Sequence, residues 1–307
     1  MDYFDADVAY FVGLIVARGQ LVEQGDDRRI IIEFPASALT VEGVNTAFDQ
    51  SVETKLGLVD IASRLRDLLE TDVDIISSSQ ESHRLLVRFM RPNMIWRNLR
   101  VILGDAVHFG AFRVPQILFE PQTPSEWRRE FVRGFADVAG NVRKANRYVD
   151  GKNRVRLDVL NYKDNWELPV QICQLLQDYL QVPVQLITWG HPNLGRDFRE
   201  HQINIFVVPF LKIGFSFRHK QQVLEELARL DEQNFSEFKY SFCPGERAAR
   251  RTKPPDSREK DERLPASLRG KHFDAYWQIC RSLGCPKRPQ QQDVSYQEDV
   301  EQEAVEP

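Results

Sequence analysis

The chain predicts an α+β fold assembled from two copies of one αββαββα unit. Three observations carry this expectation: an apolar, glycine-bearing helix segment that occurs twice, strand-like runs after each copy, and longer helical stripes between the strand pairs. The first segment is Phe11-Val12-Gly13-Leu14-Ile15-Val16-Ala17-Arg18-Gly19; the second is Phe131-Val132-Arg133-Gly134-Phe135-Ala136-Asp137-Val138-Ala139-Gly140. Gly13 and Gly134 stand 121 residues apart, a workable length for one small unit.

In the first half, strand-like runs cover 20–24 and 29–34. Leu56, Val59, Ala62, Leu65, Leu68 and Leu69 then recur at helical spacing, predicting a helix over 53–70. Residues 73–78 and 83–90 read as a second strand pair, and Pro92 opens a helix through Leu103. The second half repeats the order. Residues 141–149 and 154–161 predict a hairpin around Asp150-Gly151. A helix follows over 167–180, with Val170, Cys173, Leu176 and Leu180 on one stripe, then strands over 184–189 and 202–208 and a helix over 210–230.

The chain is 42% hydrophobic and 28% charged, an ordinary globular composition, and no apolar run reaches the roughly 18 residues of a membrane span. The acidic start, Met1 to Asp7, fits neither a signal peptide nor an Arg-rich transit peptide, so a cytoplasmic protein with no membrane partner is expected. Its net charge of −4 is unevenly spread. Asp293, Glu298, Asp299, Glu301, Glu303 and Glu306 crowd the end, so the rest of the chain is +2. Within 241–290, 12 Lys and Arg stand against 6 Asp and Glu. The expected division is a first repeat over 1–120, a second over 121–240, a basic extension over 241–289 and a disordered acidic tail over 290–307.

Both glycine-bearing segments resemble the signature helix of the LAGLIDADG homing endonucleases. Pro209 to Phe215, continuing to Lys220-Gln221, looks like the approach to the last helix of intein-type members, and Phe112 to Leu118 resembles the linker before their second motif helix. The resemblance spans about residues 8–230. It implies a pseudo-two-fold saddle that sits on double-stranded DNA, with two helices packed closely at its centre. It also implies that an acid just before each terminal glycine binds divalent metal, one from each helix, to cut the DNA. Those positions hold Arg18 and Ala139 here. Arginine does not ligate Mg²⁺ and alanine offers no oxygen, so standard metal-dependent cleavage is not expected.

Asp137 matches the earlier acid of the motif and is the fallback catalytic acid, with Glu23 as a further candidate; Lys220, with Lys212 competing, is the fallback base. Mg²⁺ would be needed only if cleavage survived. Arg18 either contacts phosphate bidentately or stabilises its helix C-terminus. The resemblance to maturases within the family keeps RNA open as a partner.

The nucleic-acid surface is expected at Arg28, Arg143, Lys144, Arg147, Arg154, Arg156, Arg196 and Arg199. Arg29 and Lys152 lie among them, and Asn141, Asn146, Asn153 and Gln202 supply amides of the kind that pair with adenine. Strand alternation places Arg154 and Arg156 on one face and Val155 and Leu157 on the other. The reading is of a monomeric DNA-binding protein with a degenerate endonuclease fold. An active endonuclease using other acids, an RNA-binding maturase and a protein-interaction module are the alternatives.

Past the repeats, 268–283 has helical spacing with Phe273, Tyr276, Trp277 and Ile279 as an apolar stripe. Cys243, His272, Cys280 and Cys285 could form a tetrahedral structural Zn²⁺ site, although their spacing lacks a tight Cys-x2-Cys pair; buried cysteines and a surface histidine explain the same residues.

Overall fold

The computed structural model describes residues 3–41, 48–78, 82–89, 93–144, 153–161, 167–192 and 199–234. The first half runs α1 (Ala6–Arg18), β1 (Gly19–Gln24), β2 (Asp27–Pro35), a short α2 (Ala36–Leu39), α3 (Gln50–Leu69), β3 (Val73–Ser78), β4 (Ser82–Phe89) and α4 (Met94–Ile102). The second runs α5 (Ser125–Ala139), β5 (Gly140–Arg143), β6 (Arg154–Asn161), α6 (Glu167–Gln174) with a π-helical turn over Leu175–Tyr179, β7 (Val184–Pro192), β8 (Arg199–Phe206), a short α7 (Val207–Phe210) and α8 (Arg218–Asn234). Both sheets are four-stranded and antiparallel, ordered β1-β2-β4-β3 and β5-β6-β8-β7. The two orders match strand for strand, so the repeat expected from the sequence is a repeat of topology.

Helix starts follow local chemistry. Asp5 accepts the Val8 N–H at 2.8 Å, Asp49 accepts those of Ser51 and Val52, and Asn93 accepts those of Ile95 and Trp96. Each satisfies donors that a helix's first turn leaves without partners.

α1 and α5 cross at their glycines. A Cβ on Gly13 would run into the Phe131 carbonyl, and a Cβ on Gly134 would run into the Tyr10 carbonyl. The two contacts are mirror partners under the pseudo-two-fold, since Tyr10 and Phe131 each lie three residues before their glycine. Glycine inside a helix costs about 1 kcal/mol relative to alanine, a cost offset here by backbones packed at a distance no side chain permits. At the other end, the Gly19 and Gly140 N–H groups donate to Ile15 and Ala136, and the chain passes straight into β1 and β5. A Cβ on Gly19 would stand 2.6 Å from the Ile15 carbonyl oxygen, so this sharp exit also requires glycine.

The core is continuous across both halves. Ile30, Ile32 and Phe34 of β2, Leu85, Val87 and Phe89 of β4, Val155, Leu157 and Val159 of β6, and Ile203 and Ile205 of β8 face it with α1 and α5. The intervening strand positions form the more polar outer face of each sheet, with Ile31, Ile76 and Leu86 among the charges on the first.

The structure adjusts several sequence expectations. The helix expected over 210–230 is broken: α7 stops, Gly214 turns at φ +69°, and α8 begins only at Arg218. The break lets the Ser216 N–H donate to the Asp137 carboxylate at 3.0 Å, a tertiary bond invisible to periodicity. α4 starts at Met94 behind the Asn93 cap, while Pro92 lies outside the described residues. β5 ends at Arg143, and most of the expected hairpin turn lies outside them too.

Candidate functional site

At the ends of the motif helices, Arg18 is 7% exposed and Ala139 1%. Asp137 is fully buried; the Tyr10 hydroxyl donates to its Oδ2 at 2.8 Å and the Ser216 N–H to its Oδ1. Burial pushes its carboxyl pKa up, against the Lys220 charge and these hydrogen bonds. Lys220 is also fully buried. Its ammonium donates to the Ala136 carbonyl at 3.2 Å and the Asp137 carbonyl at 3.0 Å, and lies over the Phe215 ring at 4.6 Å. Burial lowers its pKa to about 8, with Asp137 opposing the shift. The Tyr10 hydroxyl is pushed well above its usual range, first by burial and then by the Asp137 charge.

This cluster is an internal clasp. Lys220 of α8 holds carbonyls in the last turn of α5, and Tyr10 of α1 reaches Asp137 across the helix crossing. Both Asp137 oxygens accept from within the protein. Arg18 and Ala139 offer no carboxylate, so the motif positions do not fit a divalent cation. Lys212 lies on the surface, donating to the Gln181 carbonyl at 3.2 Å. Glu23 pairs with Arg28 at 2.6 Å beside the β1–β2 turn, at the far end of β1 from the motif helix. Among the described residues no group of three His, Cys, Asp or Glu is placed to hold a metal. Cys243, His272, Cys280 and Cys285 lie outside those residues, as do Arg147, Lys152 and Arg196.

Arg28 departs from expectation. Register puts it in line with Ile30 and Ile32, on the core side of β2, where it is bound to Glu23 and borders a cleft of about 420 Å³ with Arg97 and Arg100 of α4. Its neighbour Arg29 takes the polar face instead. Strand alternation, counted from the buried isoleucines, was the signal available.

On the first sheet, Arg29 pairs with Asp27 at 2.9 Å, Arg84 with Glu33 at 3.8 Å and Arg88 with Asp74 at 3.7 Å, three bases against three acids. Arg84 and Arg88 were not among the expected surface residues, although they alternate with core-facing Leu85 and Val87 along β4. On the second sheet, Arg143, Arg154 and Arg156 share the polar face with Asp158. Arg156 and Asp158 bind each other, with two contacts of 2.7 Å, and Asn141 donates to Asp158 at 3.0 Å. Arg143 and Arg154 stand directly opposite one another in the β5–β6 register, with exposed Lys144 next in the chain. Arg199 begins β8, its backbone paired with Asn161.

The amides take structural roles. Asn141, Asn153 and Gln202 are all buried. The Asn153 side chain donates to Asp231 of α8 at 2.7 Å, and its backbone N–H donates to the same carboxylate. Asn146 lies outside the described residues. Asn141 is committed to Asp158 and Asn153 to Asp231.

No protein-family profile and no curated protein matches this sequence. Solved structures do. The homing endonuclease I-DmoI, in mesophilic variants, is similar over 67% of this chain and 87% of its own, at 15% identity and a TM-score of 0.41. Full-length WhiA from Thermatoga maritima is similar over 75% of this chain and 60% of its own, at 15% identity and a TM-score of 0.45. The N-terminal LAGLIDADG domain of WhiA is similar over 65% of this chain and 75% of its own, at 13% identity and a TM-score of 0.35. Among the described residues no helix is long and apolar enough to cross a membrane.

Proposed function

We propose that this chain is a double-stranded DNA-binding protein with a LAGLIDADG-like fold that has lost metal-dependent cleavage, and that it binds as a monomer in the cytoplasm. The observation that carries the binding surface is the Arg143–Arg154 pair. Two guanidinium side chains directly opposite one another on one sheet face offer a phosphate charge-assisted donors from two strands. Exposed Lys144 follows Arg143 in the chain and extends the patch.

Loss of cleavage rests on Arg18 and Ala139 at the motif positions and on the internal engagement of Asp137. The test is a salt-dependent titration against random duplex DNA and structured RNA, in EDTA and in Mg²⁺. Salt-sensitive duplex binding without cleavage in either condition is the expected result. Cleavage confined to Mg²⁺ would overturn the non-cutting reading, and tighter binding to structured RNA would overturn the choice of DNA.

A further inference from the structure

α3 is apolar on two sides. One stripe, including Leu58, Ile61, Leu65 and Leu69, is buried in the core. The other consists of Val52, Leu56 and Val59 at i, i+4 and i+7, and these side chains are 50%, 53% and 50% exposed. At 100° per residue they cluster on the face turned away from the core. Exposed Ser63 continues the row, and Glu53, Asp60 and Asp67 run along one flank. A contiguous aliphatic row with a charged flank is the seam that a second helix covers.

We propose that the row is a docking seat for residues 268–283 of the same chain. The chain continues for 73 residues past Asn234, the end of α8; α8 itself packs beside α3, and the Phe217 ring just before α8 lies against Gly57 of α3. The 33 residues between Asn234 and Leu268 span up to about 110 Å when extended, so reach is no obstacle. Residues 268–283 carry the complementary pattern. Phe273, Tyr276, Trp277 and Cys280 recur at helical spacing, and Arg269, Lys271 and Arg281 oppose a single acid, Asp274. Their positive charge matches the acidic flank of α3, and the aromatic side chains match its shallow aliphatic row. Docking also keeps this basic segment on the first half of the molecule, away from the Arg143–Arg154 patch.

Two experiments on the full-length chain test this. Hydrogen exchange should show residues 268–283 protected, and the surface double variant L56E/V59E should reduce that protection at least tenfold while α1 and α5 stay unchanged. Independently, V59C should form an intramolecular disulfide with native Cys280 under oxidised glutathione. Residues 268–283 that are unprotected in the unaltered chain, or protected equally in the double variant, overturn the proposal. A disulfide between two copies through V59C, or a concentration-dependent dimer abolished by L56E/V59E, assigns the row to a second copy and likewise overturns it.

Discussion

Replacing Arg143, Lys144 and Arg154 together with glutamine removes three cations from the second polar face while leaving the Arg156–Asp158 pair in place. If each of the three meets one phosphate, the slope of log affinity against log salt falls by roughly 0.9 per contact, about 2.7 in all. Between 50 and 200 mM salt, the unaltered protein should then lose about 40-fold more affinity than the variant. Stability without DNA should change by less than about 1 kcal/mol, since none of the three side chains is fully buried. The control is R84Q/E33Q, which removes a balanced pair from the first face and should leave the slope within about 0.5 of the original. Fluorescence anisotropy with a random duplex measures the slopes, and differential scanning fluorimetry the stabilities. An unchanged slope in the triple variant, or an equal loss in the control, would refute the placement of the interface.

Gly13→Ala and Gly134→Ala should each destabilise the fold by about 3 kcal/mol, since the new Cβ meets a partner carbonyl that cannot retreat. Gly25→Ala, at φ +61° with open space around it, should cost only about 1 kcal/mol, measured by urea unfolding. Lys220 sets an alkaline signature. Its folded pKa of about 8 lies below its unfolded value, so between these values the unfolded chain holds more protons and stability rises with pH. The rise should be roughly 2 kcal/mol from pH 8 to 10 and absent in Lys220→Met; a flat profile in the unaltered protein would show that the ammonium is not buried. Asp137 acts in the acid range with the opposite sense: its raised pKa makes stability fall as pH climbs from the unfolded to the folded value, and Asp137→Asn should flatten that segment. Arg156→Ala takes the two-contact guanidinium away from the buried Asp158 carboxylate and should cost about 3 kcal/mol, whereas R156L/D158L should recover most of it. Equal losses in both variants would mean that the ion pair itself stabilises the sheet.

By itself the sequence determined the repeat, the α+β class and most elements, because these depend on local periodicity. Gly13, Gly134, Gly19 and Gly140 could be read as helix-packing and turn positions, and that Arg18 and Ala139, not acids, precede the two exit glycines needed no coordinates. The alternation of Arg154 and Arg156 against Val155 and Leu157 was equally legible, since a strand's two faces follow from its period of two. Which charges meet across strands was decided only by tertiary structure. Cross-strand register brought Arg88 to Asp74, Arg84 to Glu33 and Arg143 to Arg154, and register depends on pairings between separate segments. The fate of Asp137 and Lys220 was hidden for the same reason. Tyr10, 127 residues earlier, and Ser216, 79 residues later, take up the Asp137 oxygens, and closure of those long loops has no trace in local pattern.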